Sequence, residues 1–406
     1  MGVTFFTKEI VDHLRDFQCN IECIYEDGRL ANRFTIARAD MMDLFLRGRK
    51  NLKHVALASM EMHNFVPFCN LLKENQATLQ SLYLDLGHFY SRSNLWDVQG
   101  SSEYEKVTKE LAKYGLDFDN PPKLVNLKSL YLRDLYNAFQ PNIFSSYFYS
   151  MLDLSGLDYL NLYRGPTEGE FWDMLFKSQL HLRYLTVGGG YCNFGSKVND
   201  LLLSFTGLKE LVIDYLHEPK SLKEGVLNHR STLQKLFWRA VAPLEESSKH
   251  CFHSDDFKYL SECTNLSELA IYRMGGASKH TEQNIPLPPN LKLLWILESE
   301  TFPDFPYPEI DKSAISIAER FEKPQGQRVP FKYLALEYRK TYEDGYTVLE
   351  GPFTVEVFDS SELGRSGDIV GEKYTYRVVA NDELVEMDPY FSMPRQAMDW
   401  LPLSTW

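Results

Sequence analysis

Apolar and polar positions recur along the chain in one fixed order. The stretch NLKSLYL (126–132) has near-copies in NLKHVAL from Asn51, TLQSLYL from Thr78 and TNLSELAI from Thr264. Counted from the first leucine, the first, fourth and sixth positions are apolar. The copies begin at Leu52, Leu79, Leu127, Leu157, Leu182, Leu208, Leu233, Leu266 and Leu291, and a variant begins at Phe331.

The spacing of these copies favours a true repeat. The steps between their first residues are 27, 48, 30, 25, 26, 25, 33, 25 and 40 residues. Several steps match the roughly 20 to 29 residues of a leucine-rich repeat, and the longer ones indicate insertions or a degenerate extra copy. The fourth position is leucine in every copy except the first, which has Val55. The residue before the first leucine is usually a turn former.

This pattern predicts short strands whose first, fourth and sixth side chains enter one core while the intervening side chains point outward. Four segments between the strands have helical spacing: PFCNLLKENQ, EFWDMLFKS, VNDLLLSF and SDDFKYLSE. One strand and one helix cannot cover their apolar faces alone, so neighbouring units must stack. The prediction is therefore an α/β solenoid with a parallel concave sheet and helices on its convex side.

From about Asn51 to Tyr338 the chain resembles the leucine-rich-repeat family. Its long irregular repeats and tyrosine-rich strands are most similar to fungal F-box and leucine-rich-repeat proteins. An earlier unit, RFTIARADMMDLFLRGRK, is interpreted with 33–36 as its strand. The family often has asparagine at the ninth position, but Met60, Gly87 and Leu135 stand there in the first copies. The resemblance therefore implies an irregular horseshoe.

The resemblance also implies the substrate-recognition part of an SCF-type ubiquitin ligase, with a Skp-type adaptor as a partner. An intact F-box is not evident, since TKEIVDHL keeps Glu9, Ile10 and Leu14 without the Leu-Pro start. The chain could have lost the module, could begin downstream of it, or could be an unrelated repeat protein. An amphipathic first helix that is not part of an F-box would also account for the spacing of Glu9, Ile10 and Leu14.

The sequence predicts three regions. Residues 1–29 form an N-terminal helical cap, residues 30–338 form the solenoid, and residues 339–406 form a C-terminal cap. In the last region GPFTVEVFDS and GEKYTYRVVAND alternate apolar and polar residues, which predicts a β-hairpin. A hairpin followed by an aromatic tail would cover the end of the solenoid core.

The composition of the chain bears on its binding partners and on its cellular compartment. The 406 residues are 44% hydrophobic and 24% charged, with a net charge of −13, and this charge argues against a nucleic-acid-binding face. The first residues lack the apolar run of a signal peptide, and no segment has the length of a membrane span. A cytoplasmic or nuclear protein with reduced cysteines is expected.

The sequence has only weak matches to motifs for phosphate binding, metal binding or catalysis. The glycine-rich stretch GGGYCNFG lacks the lysine of a phosphate-binding loop and is interpreted as a turn between repeats. His250, Cys251 and His253, with Cys263 farther on, lack the paired Cys-x-x-Cys spacing of zinc sites. We therefore expect no metal, no cofactor and no enzymatic activity, although an enzyme remains the alternative from a different class.

The outward strand positions are rich in aromatic and arginine side chains, the types that dominate protein interfaces. They predict a concave face that binds another protein. The alternative is that these rings pack on one another and only stabilise the sheet. A further alternative is a stand-alone adaptor or inhibitor without a ubiquitin link. The predicted contact residues are Tyr83, Tyr131, Arg133, Tyr159, Tyr163, Tyr184, Phe237, Arg239, Tyr272 and Trp295.

Overall fold

The computed structural model describes strands, helices and the connections next to them. These residues are 23–27, 50–58, 65–85, 105, 108–109, 111–117, 119–133, 143–163, 169–190, 196–215, 219–239, 252–271, 285–296, 321, 331–341, 347–359 and 374–379. The chain divides into two compact units, Met1–Leu182 and Arg183–Trp406, which are described separately.

Among the described residues, the first unit contains five parallel strands that pair in chain order. They are β1 Cys23–Asp27, β2 His54–Ala58, β3 Ser81–Asp85, β4 Ser129–Arg133 and β5 Tyr159–Tyr163. The helices are α1 Phe65–Glu74, α2 Ile143–Met151 and α3 Glu170–Lys177.

In its described ranges, the second unit contains six parallel strands in chain order, followed by two antiparallel strands. They are β6 Tyr184–Gly190, β7 Glu210–Tyr215, β8 Lys235–Arg239, β9 Glu268–Ile271, β10 Leu293–Ile296, β11 Tyr333–Thr341, β12 Thr347–Asp359 and β13 Tyr374–Val379. The helices are α4 Lys197–Ser204, α5 Lys223–Asn228 after a 3-10 turn at Pro219–Leu222, and α6 Ser254–Leu260.

The leucines of the repeat form continuous rows inside each unit. In the first unit the fourth positions align as Val55, Leu82, Leu130 and Leu160. In the second unit they align as Leu185, Leu211, Leu236, Leu269, Leu294 and Leu334. Each of these side chains is at most 1% exposed. The predicted α/β arrangement of parallel strands and intervening helices is confirmed, and we call this side of the strands the leucine face.

The longest steps in the repeat are insertions rather than extra copies. Leu82 pairs directly with Leu130 across the 48-residue step, and Leu294 pairs directly with Leu334 across the 40-residue step. The first insertion packs against α1, since Lys73 Nζ donates a hydrogen bond of 2.7 Å to the carbonyl of Gly115. Its Leu111 is fully buried.

Side-chain amides link neighbouring repeats at the position before the first leucine. Asn126 Nδ2 donates to the carbonyl of Ala77, two residues before Leu79, at 2.7 Å. Asn290 donates to Thr264 in the same way at 2.7 Å, and Asn265 donates to Ser231. The ninth position carries no regular asparagine, but these bonds explain why polar turn formers recur one residue before the leucine.

The beginning of the array differs from the sequence interpretation. The neighbour of β2 is β1, in which Tyr25 is the register partner of Ala56. This strand lies inside residues 1–29, which were predicted to be a helical cap. The alternation of CIYED is too short to have been recognised without its pairing partner. The predicted strand at 33–36 and the F-box-like Thr7–Leu14 lie outside the described residues.

Candidate partner-binding face

Alternation along the strands places every second side chain on the side away from the leucines, which we call the opposite face. In the first unit, the strand register puts Tyr83 beside Tyr131 and puts Arg133 beside Tyr163. Five of the predicted contact residues therefore come together on three neighbouring strands, β3 to β5. They are Tyr83, Tyr131, Arg133, Tyr159 and Tyr163.

Tyr83, Tyr131 and Tyr159 form a continuous run of rings, which we call the tyrosine row. The ring centroids of Tyr83 and Tyr131 lie 6.1 Å apart, and those of Tyr131 and Tyr159 lie 4.8 Å apart in a stacked arrangement. Tyr131, in the middle, is 9% exposed, whereas Tyr83 and Tyr159 are half-buried. Burial, followed by the neighbouring Tyr159, raises the pKa of the Tyr131 hydroxyl well above its usual range. The hydroxyl therefore stays neutral.

Arg133 and Tyr163 lie next to the tyrosine row, one step farther along β4 and β5. The guanidinium carbon of Arg133 is 5.2 Å from the centroid of the Tyr163 ring, which is within cation-π distance. Both side chains are half-buried. The face of β3 to β5 therefore combines aromatic rings with one ordered guanidinium.

The opposite face of the second unit is different. Phe237 and Trp295, which the sequence placed at the binding face, are only 7% and 2% exposed. Their rings meet edge to face at 5.8 Å, in a cluster with Ala270, Leu293, Tyr333 and Ala335. The expectation that these two side chains are open to a partner is wrong. The strands β9 and β10 are buried on both faces, so their outward apolar side chains pack together in a second core.

A row of charged residues lies beside this second core. Lys235 Nζ is 3.4 Å from Glu268 Oε1 and 3.8 Å from Glu210 Oε1. The Lys235 and Glu268 side chains are 9% and 1% exposed, and Glu210 is 21% exposed. Burial raises the pKa of the Glu210 carboxyl, although the Lys235 ammonium opposes the shift. The alternation along the strands places these residues on the opposite face, but it does not predict that Lys235 and Glu268 are buried there.

The remaining predicted contact residues are only partly described. Tyr184 is half-buried, and the guanidinium carbon of Arg183 is 5.8 Å from its ring centroid. Arg239 belongs to β8, but its side chain lies outside the described residues, as does all of Tyr272. The role of these residues in binding stays a prediction.

The motifs considered for phosphate or metal binding lie partly within the described residues. Gly188–Gly190 continue β6, and His253 precedes α6, where its backbone N–H donates to Asp256 Oδ2 at 2.9 Å. Burial raises the pKa of the Cys263 thiol to about 12. His250 and Cys251 lie outside the described residues. Within the described part of the chain, no three His, Cys, Asp or Glu side chains are placed to hold a metal ion.

Comparison with protein-family models gave no match, and comparison with curated proteins gave none either. In the described ranges, none of the helices has both the length and the apolar character required to cross a membrane.

Proposed function

We propose that this chain is a protein-binding scaffold of the leucine-rich-repeat type, and that it holds a segment of another protein on the opposite face of β3 to β5. The observation that carries the proposal is the ordered, partly exposed tyrosine row with Arg133 and Tyr163 beside it. Tyrosine and arginine contribute much of the energy of protein interfaces, because they are large, semi-rigid and polar at one end.

The contacts between the rings support binding as well as packing. Tyr131 stacks on Tyr159, and Arg133 lies over Tyr163, so these side chains are held in defined positions. Side chains that are ordered before binding lose less conformational entropy when a partner arrives. The same contacts also stabilise the sheet, so the two roles must be separated by experiment.

The proposed surface is smaller than the whole outward side of the repeat array. In the second unit Phe237, Trp295 and Tyr333 are buried in a core of their own. We therefore expect the partner to contact β3, β4 and β5. The aromatic residues of β8, β10 and β11 stabilise the fold instead.

Affinity capture from native cells tests this function when it is combined with matched variants. The test variant is Tyr83→Ala/Tyr163→Ala, which removes two half-buried rings of the proposed surface. The control is Tyr114→Ala, a half-buried tyrosine of the insertion that packs on α1. We expect the wild type and the control to recover the same partner, and the double variant to lose it while its melting temperature falls by no more than a few degrees. Recovery of that partner by the double variant would contradict the proposal.

The link to ubiquitin is a finer proposal and is supported by the resemblance of the repeats alone. Its test is co-purification of the chain with a Skp-type adaptor, with the genomic upstream region restored. Absence of that adaptor would remove the ligase role. A stable complex with another protein and without the adaptor would favour a stand-alone adaptor or inhibitor.

A further inference from the structure

The strands β7 and β9 are nearly interchangeable on their leucine faces, where both have a leucine followed two residues later by an isoleucine. The strand β8 between them has Trp238 at the place of the isoleucine. The fourth positions of the three strands, Leu211, Leu236 and Leu269, align in one register and are all buried. Repeat arrays are prone to misassembly, because a strand that pairs with the wrong neighbour still buries the same leucines. If β8 were left out, β9 could pair with β7 and keep leucine beside leucine and isoleucine beside isoleucine, although Leu236 and Trp238 would lose their burial. The leucine face of β7 and β9 therefore does not by itself exclude their pairing.

The opposite face distinguishes the three strands by charge. Glu210 is the register partner of Lys235, and Lys235 is the register partner of Glu268. We call Glu210, Lys235 and Glu268 the charge row. Lys235 lies between the two carboxylates, at 3.8 Å from Glu210 and 3.4 Å from Glu268. Because Glu268 and Lys235 are almost completely buried, their charges interact with little screening by water.

Stability does not explain why charges are placed here. The desolvation of buried ions offsets most of their mutual attraction, and apolar residues of similar volume often stabilise a protein equally well or better. Removal of one partner has a much larger effect, because it leaves a buried charge without compensation. Pairing of β9 with β7 would place Glu268 beside Glu210 with Lys235 displaced from between them. Two carboxylates side by side, one of them fully buried, disfavour that arrangement.

The corresponding positions in the first unit provide a contrast. On β2, β3, β4 and β5 they are His54, Ser81, Ser129 and Tyr159. No alternation of positive and negative charge occurs in this row, and these four side chains are half-buried or exposed. Within the described strands, the alternating charges are thus found next to the part of the opposite face that forms a second core.

We propose that the charge row is a pairing device: Glu210, Lys235 and Glu268 specify the order β7, β8, β9 and suppress assemblies that leave out β8. The ion pairs act on the competing arrangements more than on the stability of the native one.

Refolding of the full chain tests this proposal. The neutral variant Glu210→Gln/Lys235→Met/Glu268→Gln replaces the charge row with groups of similar size. After refolding from denaturant, hydrogen exchange with mass spectrometry is measured on peptides from β7, β8 and β9. We expect one exchange population for the wild type and at least two for the neutral variant, which should melt at the same temperature as the wild type or higher. The proposal is overturned if the neutral variant refolds to a single population with native protection, or if it melts well below the wild type.

A charge-swapped variant provides the matched control. Glu210→Lys/Lys235→Glu/Glu268→Lys keeps the alternation of charge and reverses every sign. We expect it to refold to a single exchange population, because only the alternation is needed to exclude the wrong neighbour. Two populations, or failure to refold, would count against the proposal.

Discussion

At the scale of single residues, Asn75 and His229 solve the same problem in different repeats. The backbone N–H of Leu52 donates to Asn75 Oδ1 at 2.8 Å, and that of Leu208 donates to His229 Nδ1 at 3.3 Å. Leu52 and Leu208 each begin a repeat, and the polar side chain comes from the end of the helix that follows. Both polar residues are 1% exposed. Each therefore satisfies a buried backbone donor that would otherwise be costly to bury.

His229 should make stability depend on pH. Nδ1 accepts a hydrogen bond, so the proton is on Nε2, which donates to the carbonyl of Leu202 at 2.9 Å. Burial lowers the pKa of His229 from 6.5 to about 4, although the bond to Leu202 opposes the shift. The unfolded chain therefore takes up the proton first. The stability contributed by the neutral ring is complete above pH 6.5 and is lost as the pH falls to 4. The free energy of unfolding should fall by about 3 kcal/mol over this pH range because of His229.

The measurement is the free energy of unfolding between pH 7 and pH 4 for the wild type and for His229→Gln. We expect the variant to be less stable at neutral pH and to lose less stability on acidification. The control is His181→Gln, which makes the same replacement at an exposed histidine and should change the free energy of unfolding at neutral pH by less than about 0.5 kcal/mol. Equal slopes for the wild type and His229→Gln would show that His229 does not titrate as described.

Residues on the two faces of neighbouring strands should respond differently to truncation. Leu130 lies in the leucine row and is 0% exposed, so Leu130→Ala should lower the free energy of unfolding by about 2 to 5 kcal/mol. Tyr83→Ala should lower it by less than about 1.5 kcal/mol, since this ring is half-buried. Chemical denaturation of both variants measures the difference. Similar losses would mean that the two faces have been assigned wrongly.

The period of the sequence predicts which face each residue occupies, but not how deeply it is buried. Leu130 and Tyr131 were assigned to the correct faces from alternation alone. The burial of Tyr131 between two rings, and of Phe237 and Trp295 in a second core, depends on neighbouring repeats that are distant in sequence. For that reason Tyr83 is a better probe of binding than Tyr131.

At the scale of elements, the helices with one apolar stripe were predictable and the others were not. The predicted segments match α1, α3, α4 and α6 to within a few residues. The helix α2, with the sequence IFSSYFYSM, has aromatic residues around most of its circumference. The short α5 contains Gly225, which lowers intrinsic helix propensity. Their positions follow from packing between repeats more than from local periodicity.

Gly225 allows α5 to approach α4 closely. A Cβ at this position would lie 2.7 Å from Leu202 Cβ, and the Gly225 N–H donates to Asn199 Oδ1 at 3.0 Å. Gly225→Ala should therefore push the two helices apart and destabilise the second unit by about 1 to 3 kcal/mol. Gly156→Ala is the control, because its Cβ would meet no atom closer than 3.5 Å. Thermal melts of the two variants compare them, and equal melting temperatures would contradict the close approach.

At the scale of the whole molecule, the repeat pattern predicted the order of most strands. Copies that are neighbours in sequence pair with each other within each unit, and the direct pairing of the flanking strands shows that the steps of 48 and 40 residues contain insertions. The strand β1 and the division between Leu182 and Arg183 were not predicted. Both depend on contacts between segments far apart in sequence, which local alternation does not encode.

The alternation of faces along β5 is the central claim, and cysteine labelling of the intact chain tests it most directly. Each residue of Tyr159–Tyr163 is replaced in turn by cysteine, and the rate of maleimide modification is measured by mass spectrometry under native conditions. Positions 159, 161 and 163 are half-buried and should react, whereas positions 160 and 162 are fully buried and should be protected. Equal rates at all five positions, or faster labelling at 160 and 162, would contradict the account.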